Sequence, residues 1–367
     1  MQYDLAEFAL KMTAPNNKLI YDDKGIPSVM VYVPKVKMSD LIAGGSSSVH
    51  PAFIVDGQEV DGIWISKYQN IVNNGRAYSL PGVDPAASMT WDTARGYCEA
   101  KGKGWHMMTA AEYALIMLWC KKNGFMPYGN NNYGKDTRET LYQAIPATYG
   151  SGNDAGKIYH VLTGTGPLTW SHNKQADGIW DINGNVSEWT GGKRTVYGEI
   201  QFLVNNNAAN SDHPQTKAST EWKAIDATTG EFITPDGSGT TANSVKVNCV
   251  SGKPQYSTTI TTKSASFGCA LYQVTADSTI SDAAKAVLIA YGLLPEVQGA
   301  STDEYDGDVL YFNNQDDERL FNSGGNYGSG TSAGVGFSNG NYYTRSYTYV
   351  SIGFRSAYIE LPESAAL

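Results

Sequence analysis

The chain has 367 residues, enough for roughly two or three average domains or one large domain with insertions. Its net charge is −9 and it has no Lys/Arg run, which argues against nucleic acid and anionic membrane as partners, since both need clustered positive charge. No apolar run approaches the roughly 20 residues that span a bilayer, so membrane insertion is not expected. Hydrophobic content of 41% is ordinary, but 39 glycines and 24 tyrosines point to much irregular, surface-forming backbone.

The N-terminus, "MQYDLAEFALKM", lacks the basic n-region and long h-region of a signal peptide, which leaves export to a route without one. Residues 1–48 read as a strand-containing lead-in and 49–367 as the main domain. "SVMVYVP" (28–34) and "AFIVDGQEVDGIWISKY" (52–68) read as strands, the second as a hairpin of two β-rich runs around a polar turn. Two helices follow. "TWDTARGYCEAKGKG" opens at the cap candidate Thr90 and ends in glycines. "TAAEYALIMLWCKKNG" carries stronger signals: Thr109 and Glu112 form a T-x-x-E capping box, Lys121 and Lys122 suit the C-terminal dipole, and Gly124 is a stop. Its Tyr113, Leu115, Ile116, Leu118 and Trp119 read as core. From about 195 to 300, long Thr/Ser/Asn loops, weak strands and one helix-like run, "SDAAKAVLIAYG" (281–292), read as an insertion. "DVLYF" and "VSIGFRSAYIEL" close the chain as strands.

The four cysteines, Cys98, Cys120, Cys249 and Cys269, form no CxxC and no metal-type cluster with the five scattered histidines. Cys98 and Cys120 fall in the expected helices and read as small buried hydrophobes. Nothing in the spacing supports a Cys249–Cys269 disulfide.

Three motifs carry a resemblance. "MTWDTARGYCEAKGKGWHMMTAAEYALI" (89–116) resembles the segment of formylglycine-generating-enzyme-like domains in which a "V-x-W-x-x-A-x-x-Y-C" helix leads to "R-L-P-T-E-A-E-W". "GIWDINGNVSEWT" (178–190) is similar to that family's "G-L-x-D-M-x-G-N-V-W-E-W", and "GFR" at 353–355 matches its closing strand. In register, they imply an α+β, C-type lectin-like fold of the formylglycine-generating-enzyme type: two helices with short twisted antiparallel strands and long loops. By residue chemistry alone, Asn183 and Gly184 suit a tight turn with positive φ, and Trp180 and Trp189 suit a core. Asn185 and Glu188 can offer oxygens to backbone or to a hard cation. Some family members bind calcium, so the resemblance implies a structural calcium ion there as the alternative to a buried turn. No other cofactor is required.

Family oxidases carry a reactive cysteine pair just before "GFR", where a soft thiolate binds copper. Residues 321–355 contain no cysteine, so a formylglycine-type copper oxidase would need relocated cysteines, with Cys269 the nearest. His50, His106, His160, His172 and His213 show no H-x-x-x-E or H-x-H spacing of the related iron-dependent sulfoxide synthases. Nor is there a G-x-S-x-G, a P-loop or an H-E-x-x-H. The expectation is therefore not an enzyme.

Residues 321–349 hold seven Gly, five Ser, five Tyr, four Asn and three Thr, with Arg345 the only charge. Such composition alone would predict a linker. "YYTRSYTYVS", however, predicts an extended run with Tyr343, Arg345, Tyr347 and Tyr349 on one face. Tyr supplies large contact area with little lost rotamer entropy, and Ser, Gly and Asn supply adaptable hydrogen bonds, which is the chemistry of a recognition surface. The segment's place in the chain resembles the variable segment in variable proteins of diversity-generating retroelements, which include phage tropism determinants. Their mutagenesis acts at template adenines and turns AAC codons into NNC codons, which never encode Lys, Glu, Gln, Met or Trp; none of these occurs in 321–349.

The resemblance thus implies a non-catalytic ligand- or receptor-binding protein with a diversified segment at about 321–350. Its partner would be a protein or glycan receptor on a cell surface. It would sit on a virion (a phage tail tip) or a bacterial cell surface, with a cytoplasmic place and self-association left open. The expected contact residues are Tyr327, Ser329, Phe337, Asn339, Asn341, Tyr342, Tyr343, Arg345, Tyr347 and Tyr349. Gly353, Phe354 and Arg355 are expected as scaffold, with Arg355 bonding carbonyls or a carboxylate inside the fold. A structural virion or surface protein whose loop packs on a neighbour is the remaining alternative.

Overall fold

The helix-end signals in the sequence are realised at the level of atoms in the computed structural model, which describes residues 2–141 and 144–361. Thr109 caps the helix Ala110–Lys122: its Oγ1 accepts from Glu112 N, while the Glu112 carboxylate accepts from Thr109 N at 2.9 Å. That exchange satisfies amides which a helix start leaves unpartnered. Gly124 follows at φ +65°, the left-handed geometry that ends a helix. Thr90 caps Trp91–Glu99 and Ser281 caps Asp282–Ala290 by the same side-chain-to-amide bond. Every residue from Ala110 to Leu118 is buried, because this helix is packed against the strand Ser187–Val196, the turn Pro51–Phe53 and the helix Asp282–Ala290.

Two sheets meet at the closing strands. In the first, Asn17–Tyr21, Pro27–Pro34, Gly62–Ser66, Ser356–Tyr358 and Trp105–Met107 lie in that order and antiparallel throughout. The second, twelve-stranded sheet is centred on Ser187–Val196. That strand pairs antiparallel with Glu199–Leu203 and Arg319–Ser323, and parallel with Ile352–Phe354. Lys246–Val250, Lys253–Ser257 and Phe267–Ala270 extend the same sheet, so residues 197–300 continue the scaffold's pairing. The architecture is α+β.

Two strand expectations are corrected. Asp56 and Gly57, both at positive φ, turn a short hairpin of Ile54–Val55 with Gln58–Glu59. The second run, Gly62–Ser66, leaves that hairpin for the five-stranded sheet, where Ile63 and Ile65 are fully buried. An isolated hairpin could not bury them. "VSIGFRSAYIEL" is likewise not one strand. Ile352–Phe354 belongs to the large sheet and Ser356–Tyr358 to the small one, with Arg355 at the crossing.

Beneath the helix Trp91–Glu99, a cluster of Trp91, Trp189, Leu320, Ile352 and Phe354 joins both sheets' ends. Its two indoles are anchored: Trp189 Nε1 donates to Met89 O at 3.0 Å and Trp91 Nε1 to Thr190 O at 2.9 Å. Trp189→Ala should therefore cost about 3–5 kcal/mol. Circular dichroism melting would read this as a large fall in Tm, and an unchanged curve would place Trp189 outside the core.

Candidate functional site

The "WDINGNVSEW" turn is closed by Gly184 (φ +77°) and Asn185 (φ +62°), one residue later than the sequence suggests. A Cβ at Gly184 would stand 2.2 Å from Asn130 O, so only glycine passes there. Asn185 is saturated: Oδ1 accepts from Val161 N and Asn130 Nδ2, and Nδ2 donates to Gln69 Oε1 and Val161 O. Glu188 faces Arg355 in a two-pronged pair, Nε to Oε2 at 2.9 Å and Nη2 to Oε1 at 2.8 Å, and Gln69 Nε2 adds a third bond at 3.0 Å. A calcium ion takes six to eight oxygens. Here the oxygens of Glu188 and Asn185 already accept from nitrogen donors, with a guanidinium against the carboxylate. The residues fit an internal ion pair and do not fit the calcium ion that the resemblance implies.

The Gly/Ser/Tyr segment divides into two halves. From 322 to 341 it is wound into the scaffold. Ser338–Asn339 is a short strand held between Val309–Phe312 and Arg319–Ser323. Tyr327 stacks on Tyr159 with ring centroids 4.2 Å apart, and its backbone bonds Asn185 O and Tyr133 N. A Cβ at Gly334 would lie 1.8 Å from Asp308 Oδ1, and one at Gly340 2.5 Å from the Phe321 ring. Tyr327, Phe337, Asn339 and Asn341 are consequently buried. Expected as contact residues, they are enclosed by the scaffold instead of standing at the surface. Ser329 is half-buried on a turn, its hydroxyl accepting from Asn326 N.

From 342 to 350 the segment crosses the surface without a regular strand, so the extended run expected there is not formed. Three of its residues still point inward. Tyr343 stands edge-on to Trp189 at 5.6 Å, and Tyr347 packs on Tyr343 at 5.1 Å, so the two lid the tryptophan cluster. Burial pushes the Tyr343 phenol up to about 12. Arg345 is a clamp: Nε and Nη2 bond Glu318 at 2.7 and 3.0 Å, Nη1 bonds Asp92 at 2.9 Å, and Nη2 also reaches Gln215 O at 2.7 Å. At the far end His160 bridges Asp84 Oδ1 and Val350 O, each at 2.8 Å. Beside these anchors Tyr342 (59% exposed), Tyr349 (55%) and Val350 (44%) have their side chains in solvent, with Ser346 and Thr348 also exposed.

Thiolate chemistry finds no counterpart in the cysteines. All four are free and buried. Burial pushes the Cys269 thiol up to about 11 and raises Cys98 and Cys120 as well, opposite to the lowered pKa of a reactive cysteine. Among the described residues no three His, Cys, Asp or Glu side chains are grouped to hold a metal.

Sequence reasoning missed the partners of the segment. Tyr133 and Tyr159 cradle Tyr327, and Glu318 and Asp92 hold Arg345. The two tyrosines sit in the Gly/Asn/Tyr-rich stretch after 125, and its likeness in composition to 321–349 was the available signal.

Two outcomes are expected. EDTA should leave the Tm unchanged; a fall reversed by added calcium would put a cation back beside Glu188. Gly340→Ala should lower stability by about 1–3 kcal/mol through overpacking on Phe321, whereas Ser346→Ala and Thr348→Ala should each stay within about 0.5 kcal/mol. Urea midpoints measure both, and equal effects would erase the division into a fixed and a free half.

No family model matches the chain, and no curated protein matches it. Solved structures similar to it include PvdO from Pseudomonas aeruginosa, at 14% identity and TM-score 0.34 over 94% of this chain and 98% of that one. Treponema denticola variable protein 1 is similar at 12% identity and TM-score 0.36 over 95% of this chain and 100% of that one. The Major Tropism Determinant P3c variant is similar at 11% identity and TM-score 0.31 over 95% of this chain and 73% of that one.

Proposed function

We propose that the chain is a non-catalytic recognition protein whose partner-binding face is formed by Tyr342, Tyr349 and Val350, with Ser346 and Thr348 between them. One observation carries this: two tyrosines, each more than half exposed, stand on a stretch whose backbone is held by Leu320 and His160 and whose Arg345 side chain is held by Glu318. Aromatic rings left in water contribute little to folding, so their burial against a partner is still available as binding free energy. A clamped backbone has also lost its entropy before the partner arrives, which lowers the cost of association. The lack of Lys, Glu, Gln, Met and Trp in 321–349 supports exchange of residues by an adenine-directed mechanism, with tolerance concentrated where side chains leave the core. The partner is a protein or glycan on a cell surface, met from a virion or a bacterial surface.

The double variant Tyr342→Ser/Tyr349→Ser tests it. Fluorescently labelled protein would be applied to a panel of bacterial and host cells and to a glycan array. Wild type should bind at least one of these surfaces. The double variant should lose that binding by tenfold or more, since a buried interface tyrosine is worth about 2 kcal/mol, while its melting curve stays put. Undiminished binding by the folded double variant would move the recognition face elsewhere. Independently, the coding DNA should carry a near-copy of the codons for the segment beside a reverse transcriptase gene.

A further inference from the structure

A second concavity lies away from this face, between the loop 42–51 and the helix Asp282–Ala290. It measures about 550 Å³, and its walls include Ile42, Val49, Ile54, Phe232, Val287 and Tyr291. That size and apolar lining are those of small-molecule sites. The walls are fixed in place before any ligand arrives. Met38 N donates to Ser48 O and Ser39 N to Ser46 O, each at 2.9 Å, which folds the loop back on itself. His50 then staples the loop to the helix, its Nε2 donating to Ala290 O at 3.0 Å and its Nδ1 accepting from Ala52 N at 3.1 Å. Acceptance at Nδ1 requires a neutral imidazole, and full burial keeps it so by pushing its pKa down to about 3.

Glu296 closes one end of the cleft. Its Oε2 pairs with Lys121 Nζ at 2.9 Å, but its Oε1 is buried and has no hydrogen-bond partner among the described residues. Lys121 is shared with Glu304 at 3.0 Å. Two carboxylates thus divide one ammonium at this end, and one carboxylate oxygen is left without a donor among the described residues. Buried acceptors in folded proteins are nearly always answered by a donor. The apolar walls and the acidic end together define one ligand chemistry.

We propose that this cleft binds a small amphiphilic amine, its hydrocarbon body against Ile42, Phe232 and Val287 and its ammonium at the Glu296 end. The site is independent of the recognition face, so the Tyr342→Ser/Tyr349→Ser variant should leave it intact.

Hexylammonium, 1-hexanol and hexanoate serve as probes in titration calorimetry with the full chain. Hexylammonium should bind saturably with a Kd of about 1 mM or below, as expected for a ligand of this size. Hexanoate should bind at least about tenfold more weakly, because its charge meets Glu296. Glu296→Gln should bring hexylammonium down to the affinity of hexanol. Ala286→Trp and Ser46→Trp fill the cleft from opposite walls at exposed positions, and each should abolish binding while circular dichroism stays unchanged. The proposal is overturned if hexanoate binds as well as hexylammonium, or if no probe saturates. It also falls if binding survives both tryptophan variants yet is lost in Glu296→Gln, which would place the amine in the neighbouring polar cleft lined by Lys122 and Asp303.

Discussion

The buried pair of Glu188 and Arg355 is the interaction on which the rest of the structure depends. Both side chains are withdrawn from solvent, and a charge removed from water is tolerable only when paired and hydrogen-bonded on all sides. Arg355 meets that demand with Nη1 on Ser66 O and Nη2 on Trp180 O in addition to the two bonds to Glu188. Those four contacts reach a strand end of the small sheet, the "WDINGNVSEW" turn and the central strand of the large sheet. The guanidinium fork, planar and permanently charged, can hold three backbone segments in fixed directions, which a lysine could not do.

From that pair, order passes to the exposed segment 342–350 through register. Glu188 lies opposite Gly353 on one side and Ser323 on the other; its neighbour Trp189 lies opposite Phe354 and Asn322. The indole of Trp189 is then the floor on which Tyr343 and Tyr347 rest. The distance from the ion pair to the surface segment is therefore one residue along the central strand and one layer of aromatic rings. Substituting either partner of the pair would leave a buried charge unmatched and would loosen the platform below the segment 342–350 as well as the core.

What the sequence made legible was local. Capping at Thr90 and Thr109, the stop at Gly124 and the helix-like run at 281–292 are written within a few residues of the atoms that satisfy them, so they could be read directly. Arg355 was readable as an internal binder of a carboxylate or carbonyls, yet its carboxylate was read as a candidate for a cation, because an acid beside Asn185 looks the same whether a metal or a guanidinium faces it. Strand partners were not legible: Gly62–Ser66 abandons the adjacent run for Ser356–Tyr358, nearly three hundred residues on. Within the Tyr-rich segment the limit was sharper. Asn339 and Asn341 have the composition of a contact loop, and only the strands on either side show that they are inside. Arg345 reads as the one charged contact residue, and the acid that makes it a clamp, Asp92, is 253 positions away.

That division within the segment follows from what each residue type can do. Glycine at 334 and 340 is required by the close approach of Asp308 and Phe321, so the half that looks most like a flexible linker is the half least free to change. The other half interleaves the two roles: Tyr343, Arg345 and Tyr347 turn inward to the tryptophans and acids, while Tyr342, Ser346, Thr348 and Tyr349 turn outward. Inward anchors at every second position from 343 to 347 hold the backbone without a strand ladder, so no hydrogen-bonding edge is presented to other chains. A surface built this way can exchange its outward residues without disturbing the anchors, because the free energy that orders the loop comes from the inward set of side chains alone.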